Sequence, residues 1–280
     1  MLSKQVLSQF RNQCKRSTLQ YRFLTTATEN TTAFKKYGAF REAPRGLGLV
    51  DPPEVSHGTW IQKKKQKLRD LGDYEKAFAA HAAERQYLVK EATKSYFHDA
   101  NEMKEHGGKM YYASTQLMKP EKTGYMPDFE TQDLSKNRVH TTDRLHDKIT
   151  LMTFALTQFG LDHTKTFANP FWEKYGNKTK DIQLLEIIVE ENVLKQFLLK
   201  AFVTRALKGL PKERQDNVLL LYKDISRVRP YLDMTNKHIG YVYLIDENCK
   251  VRWTAHGNAT QEEIGNMLAM TDYLYQKRQQ

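Results

Sequence analysis

KITLMTFALTQFGLD, residues 148–162, decides how this chain is read. Lys148–Thr157 is a short apolar run rich in β-favouring residues, and the residues after it have the polar-apolar texture of a helix start. Downstream the pattern repeats. Ile182–Val189 predicts a second buried strand, Asn192 caps a helix running through Leu194, Phe197, Leu198, Ala201, Phe202 and Leu207 to Gly209, and Val218–Tyr222 predicts a third strand. Weaker helices are expected over 164–175, interrupted at Asn169-Pro170, and over Ile225–Leu232. Ile239–Ile245 and Lys250–Thr254 flank Asp246-Glu247-Asn248-Cys249, a hairpin signal. A last helix spans Gln261–Gln276, with Ile264, Leu268, Thr271 and Tyr275 on one side. Alternating strands and helices, then a hairpin and a helix, predict an α/β fold of thioredoxin-like, peroxiredoxin-type order.

The chemistry usual to that order is missing. A thiol oxidoreductase needs a thiolate where the first core strand meets a helix N-terminus, because the helix dipole lowers its pKa. Thr157-Gln158-Phe159-Gly160-Leu161-Asp162 stands there without a cysteine, and Thr235-Asn236-Lys237-His238 replaces the proline usual before the hairpin. The cysteines are Cys14 and Cys249, too few for a disulfide framework or a zinc cluster. Cys249 falls in the hairpin turn, at the wrong end of its strand for attack. His98, His106, His140 and His146 have no metal-ligand spacing. Gly107-Gly108-Lys109 lacks the flanking residues of a phosphate loop and reads as a helix C-cap. Glu262-Glu263 suits a helix start. No catalytic, cofactor or metal residue is expected.

Upstream of the sheet the chain changes character twice. Residues 1–28 hold Lys4, Arg11, Lys15, Arg16 and Arg22 and no acid, nearly half of the formal net charge of +11. With Leu2, Val6, Phe10 and Cys14 at helical spacing, residues 1–24 read as a mitochondrial presequence cut after Arg22-Phe23-Leu24. This concentration of charge weakens the nucleic-acid reading that a pI of 9.4 would otherwise invite, and no RNP-like aromatic motif appears. Residues 25–59, with Gly38, Pro44, Gly46, Gly48, Pro52-Pro53 and Gly58, predict a linker. Residues 60–122 predict a helical arm, with Tyr74, Phe78, Ala82, Arg85, Val89, Ala92 and Tyr96 on one stripe. Such a stripe packs on its own domain or serves a partner. Trp60 beside Lys63, Lys64, Lys65 and Lys67 is a solvated face or a site for an anionic membrane surface. Residues 123–280 form the thioredoxin-like domain. At 280 residues, 40% apolar and 28% charged, with a mean hydropathy of −0.70, the chain has material for a real core and no stretch for a transmembrane helix.

Several blocks in order resemble a known family. They are Gly46-Leu47-Gly48 with Pro52-Pro53; Tyr96-Phe97-His98-Asp99 followed by Met103, His106, Gly108 and Lys109; Tyr125-Met126-Pro127; Thr141-Thr142-Asp143 before the strand Lys148–Thr153; and Tyr243-Leu244-Ile245-Asp246 with Arg252-Trp253 and Glu262-Glu263. From about residue 37 to 275 the chain resembles the mitochondrial ATP synthase assembly factors of the kind first defined in yeast as the tenth ATPase-complex factor. The resemblance implies a matrix protein, peripheral on the inner membrane, without enzymatic activity. It would hold newly made subunit a (subunit six) and help it join the ring of c subunits. Trp60, Phe78, Val89, Tyr96, Phe97, Asp99, Arg252 and Trp253 are the expected partner-binding residues on this view. Two alternatives are a divergent thioredoxin-like redox protein whose thiol comes from a partner, which an exposed, low-pKa Cys249 would favour, and a mitochondrial RNA- or ribosome-binding factor.

Overall fold

A computed structural model of the chain describes residues 40–53, 89, 98–176, 178–191, 203, 207 and 209–279. The presequence, Trp60, Phe78, Tyr96, Phe97 and the cluster Lys63, Lys64, Lys65 and Lys67 lie outside the described residues. So does most of the helix expected after Asn192, of which Val203 and Leu207 are helical and buried.

The described strands make one seven-stranded sheet in the order β2-β1-β5-β4-β3-β6-β7. They are β1 (Glu130–Gln132), β2 (Arg138–His140), β3 (Ile149–Ala155), β4 (Ile182–Val189), β5 (Val218–Leu221), β6 (Tyr241–Ile245) and β7 (Val251–His256). Strands β3, β4 and β5 are parallel, with Ile149 opposite Ile182 and Ala155 opposite Ile188, while β6 and β7 return antiparallel. The helices are α1 (His98–His106), α2 (Thr141–Leu145), α3 (Gln158–Tyr175), α4 (Lys212–Gln215) and α5 (Gln261–Arg278). A central β3-α3-β4 unit, parallel β5, then an antiparallel hairpin and a closing helix make the fold thioredoxin-like, as the residue pattern predicts. The edge hairpin β1–β2 is added to it and was not expected; its three-residue strands are too short to show a period.

Each central strand is buried on both faces, so it reads as a continuous apolar run. Ile149 and Leu151 of β3, with Val242 and Leu244 of β6, face α3 and α5. Met152, Phe154, Tyr241, Tyr243 and Ile245 face the other way, onto Leu47, Met110, Tyr111, Met126 and Phe129. Helix α3 is continuous through Pro170 and begins at Gln158, capped by Thr157, rather than being interrupted at Asn169-Pro170. A proline inside a helix costs about 3 kcal/mol. Burial of Phe167, Phe171 and Tyr175 on that helix, at about 1.5–3 kcal/mol for each large side chain, exceeds it. The segment 225–232 forms only a 3₁₀ turn, Arg229–Leu232.

The expected linker and arm are partly absorbed into this body. Gly48 donates its N–H to the Tyr231 carbonyl, and Leu49 bridges Tyr125. Gly48 has φ of +106°, and a Cβ there would stand 2.6 Å from the Gly124 carbonyl carbon. Two glycines let the backbones touch, which is the physical content of the Gly46-Leu47-Gly48 block. Likewise residues 107–122, expected in a helical arm, run over the sheet: Met110 and Tyr111 are core residues.

What fixes that strap is a buried ion pair. Helix α1 ends in a Schellman turn, with Gly107 at φ +59° and the Gly108 N–H donating to the Met103 carbonyl at 3.1 Å, so the expected C-cap is present. The turn delivers Lys109 inward. Its Nζ donates to Glu263 Oε2 at 2.5 Å and to the carbonyls of His256 and Asn258, each at 3.0 Å. Glu263 Oε1 accepts the Ala113 N–H at 2.8 Å, and Oε2 also accepts the Thr260 N–H in the capping box of α5. The need for Glu263 to face inward sets the buried stripe of α5 as Glu263, Met267, Met270, Thr271 and Leu274, one position round from the expected one. Beside the pair, His256 Nε2 accepts the Met110 N–H at 2.8 Å, with the ring stacked 4.0 Å from Tyr111. Burial, then the charges of Lys109 and Arg41, hold His256 well below its usual pKa, so the imidazole stays neutral and keeps that acceptor. Burial likewise pulls the Lys109 ammonium down, opposed by Glu263.

Removing one member of a buried pair strands the other charge and typically costs about 3–5 kcal/mol. Lys109→Met and Glu263→Gln should each destabilise the chain by an amount of that order in chemical denaturation, and the double variant by less than their sum. Full additivity would contradict a coupled pair.

Candidate functional site

The site grows from the turn between β3 and α3, where a redox cysteine would stand. Thr157 occupies it instead. Its hydroxyl accepts the Gly160 N–H at 3.2 Å, capping α3, and donates to the His238 carbonyl at 3.4 Å. The loop 235–238 is thereby held against the helix start.

That loop is built around Asn236, which sequence reasoning missed because a single buried asparagine has no periodic signature. Its Nδ2 donates to the Asp99 carbonyl at 2.8 Å and to Glu102 Oε2 at 2.9 Å; its Oδ1 accepts the His238 N–H at 2.8 Å. The Tyr241 hydroxyl donates to the Asn236 carbonyl at 2.9 Å, and burial pushes its pKa up, so it stays a phenol. Asp99 Oδ2 accepts the Lys237 N–H at 3.1 Å, and Lys237 Nζ meets Glu191 Oε2 at 2.8 Å. These hydrogen bonds together fix one loop conformation, with only Glu191 Oε1 of the groups named left buried without a partner. His98, Asp99 and Glu102 have ligand atoms within 4.8 Å of one another, spacing that suits a cation. The two carboxylates are, however, already engaged by the loop.

Beside the loop lies a groove of about 310 Å³ at the C-terminal ends of β3 and β4. Leu156, Leu161, Ile188, Val189 and Val203 supply apolar walls, and Thr157, Gln158 and Glu190 a polar margin. Phe159, in the first turn of α3, stands 59% exposed. An apolar-walled groove of this lining, with an exposed phenylalanine on the helix that borders it, suits an apolar partner segment. Among the described residues its lining holds no cysteine.

The expected partner residues are scattered by comparison. Val89 is helical and exposed. Asp99 braces the loop rather than facing outward. Arg252 and Trp253 must be removed from any surface: Arg252 pairs with Asp246 at 3.0 Å and with the Met118 carbonyl, and Trp253 is fully buried with its indole N–H on the Ser114 carbonyl at 2.7 Å. Alternation along β7 buries both faces, which a sequence block alone does not reveal. Cys249 has a left-handed φ of +62° and is buried in the turn between β6 and β7. Because Ile245 pairs with Thr150, that turn lies at the far end of the sheet from the groove. Burial, then the charges of Asp246 and Asp147, push its thiol up to about 11.

Over residues 8–274 the chain matches the family described as ATP10 protein. The chain belongs to the ATP10 family. Among similar proteins, one named probable mitochondrial ATPase complex subunit atp10, from Schizosaccharomyces pombe, is 22% identical over 258 residues, covering 92% of each chain. The mitochondrial ATPase complex subunit ATP10 of Saccharomyces cerevisiae is 26% identical, covering 83% of this chain and 86% of the relative. Solved structures with some likeness include a putative protein disulfide isomerase from Bacteroides thetaiotaomicron, with 14% identity and a TM-score of 0.39 over 54% of this chain and 88% of its own. Another is yeast Sco1 with copper bound, with 16% identity and a TM-score of 0.36 over 52% and 90%.

A thiol pushed up to about 11 holds little thiolate at neutral pH, and its burial adds a barrier of its own. Peptide-resolved maleimide labelling should therefore find Cys249 protected in the native chain and reactive in denaturant. Rapid native labelling would contradict the buried, unreactive thiol.

Proposed function

We propose that this protein is a mitochondrial assembly factor for the membrane sector of ATP synthase. In this reading it holds newly made subunit a (subunit six) and promotes its joining to the c-subunit ring. The observation that carries the reading is the family match from residue 8 to 274, with relatives whose names place them with the mitochondrial ATPase complex. The geometry supports it by what the thioredoxin-like pole has become: a groove with apolar walls where a thiol would otherwise stand, with Phe159 exposed in the first turn of the adjoining helix.

A holdase requires affinity for the unassembled client and none for a reaction. Apolar surface on a membrane subunit awaiting its partners matches a groove of this lining, and burying one phenylalanine-sized side chain there contributes about 1.5–3 kcal/mol. Several such contacts give binding weak enough for the native partner to displace. No helix among the described residues is long and apolar enough to cross a membrane. We place the protein as peripheral on the matrix face of the inner membrane, imported through residues 1–24, with the lysines at 63–67 and Trp60 meeting the bilayer. Phe78, Val89 and Tyr96 are the further client-binding residues in this reading. Redox chemistry and nucleic-acid binding have no part in this reading.

In cells lacking the endogenous protein, a Leu156→Ser/Phe159→Ser variant should accumulate normally yet leave subunit a short-lived and assembled ATP synthase reduced several-fold on native gels. Tyr273→Ser, at an exposed position on α5, should restore assembly fully. Normal assembly with the groove variant, at normal abundance, would overturn the proposal.

A further inference from the structure

A second cleft lies at the opposite pole, where β3 and β4 begin. The seven residues of β3 place it about 20 Å from the groove. Its volume is about 190 Å³, below the ~300–1,000 Å³ of sites that take whole drug-sized ligands, and sized for a compact group. Arg144, Lys148 and Lys180 line it, and no acidic side chain among the described residues does. Of the acids adjacent in sequence to lining residues, Asp181 is paired with Arg278 at 3.1 Å, and Asp143, Asp147, Glu173 and Asp216 do not line the cleft.

The basic side chains are aimed by neutral partners. Asn217 Oδ1 accepts from Arg144 Nη2 at 2.6 Å, and Gln183 Oε1 lies 3.5 Å from Lys148 Nζ. Gln183 is itself fixed, donating to the Arg144 carbonyl and to Thr150 Oγ1. Two cations are thus oriented by amides, with the aromatic body of Trp172 as a wall. Burial, then the charge of Arg144, pull the Lys148 ammonium below its usual pKa. An anion between the cations would relieve that repulsion.

We propose that this cleft is a phosphate-group site, in which Arg144 supplies a planar fork and Lys148 and Lys180 supply point charges. Guanidinium and ammonium groups together match a tetrahedral anion with several acceptor oxygens. The group comes from a free phosphate or from a phospholipid headgroup. In the second case this cleft would be a contact of the protein with the bilayer surface.

The test uses the full chain and two probes. Inorganic phosphate is titrated by calorimetry, and co-sedimentation is measured with phosphatidylcholine vesicles with and without phosphatidylglycerol. Basic residues elsewhere in the chain also attract anionic bilayers, so the readout is the difference between the wild type and variants at matched salt. Arg144→Gln and Lys148→Gln should each weaken binding of at least one probe about tenfold or more. Lys180→Gln, at an exposed position where the fold is untouched, should weaken it several-fold. Phosphate binding lost in these variants identifies a soluble anion; phosphatidylglycerol-dependent sedimentation lost in them identifies a headgroup. Binding of neither probe, or binding unchanged in all three folded variants, would overturn the proposal.

Discussion

The Lys109–Glu263 pair is the constraint on which the rest of the structure depends. Both groups are buried, and a charge brought out of water is tolerable only when its hydrogen-bonding capacity is filled. Here the three ammonium donors go to one carboxylate and two carbonyls, and both carboxylate oxygens accept backbone N–H groups. That requirement locks three parts of the chain at one point: the strap after α1, the end of β7 and the first turn of α5. Met110 and Tyr111 then continue into the core on the other face of the sheet, where neutral His256 receives the Met110 N–H.

The consequence reaches the functional pole through α1. With its C-terminus anchored at Gly107–Lys109, the helix presents Asp99 and Glu102 to Asn236 and Lys237. The loop they hold is the one Thr157 ties to the start of α3, beside the groove. A thioredoxin-like body usually keeps this pole for a thiolate. Here it is braced by carboxylates and an asparagine, which hold its shape. Cys249 is buried in a turn at the far end of the sheet.

Much of the sheet was legible in the sequence, because strands buried on both faces leave continuous apolar runs such as Ile182–Val189, and hairpin turns leave polar punctuation such as Asp246–Cys249. The missing thiol was legible too, since it is a statement about residue type at a place. The roles of Arg252, Trp253 and Asp99 were not. A motif block records that residues matter without saying whether they face solvent, and these three serve packing and bracing. Nor did composition reveal that Gly48 is required by contact with Gly124, since a glycine-proline stretch reads as a linker until its tertiary neighbour is known. Pro170 inside α3 is the reverse case, a local signal overridden by burial of one helical face.

The central claim is that the thiol-free groove is the surface that meets the client. Site-specific photocrosslinking tests it most directly, with a photoreactive residue placed at Phe159 or, as a control, at Tyr273, in isolated mitochondria whose own translation products have been labelled. The account predicts a labelled adduct of subunit a from position 159, transient in a chase as the subunit is assembled, and none from position 273. Equal adducts from both positions, or an adduct from 273 alone, would contradict it.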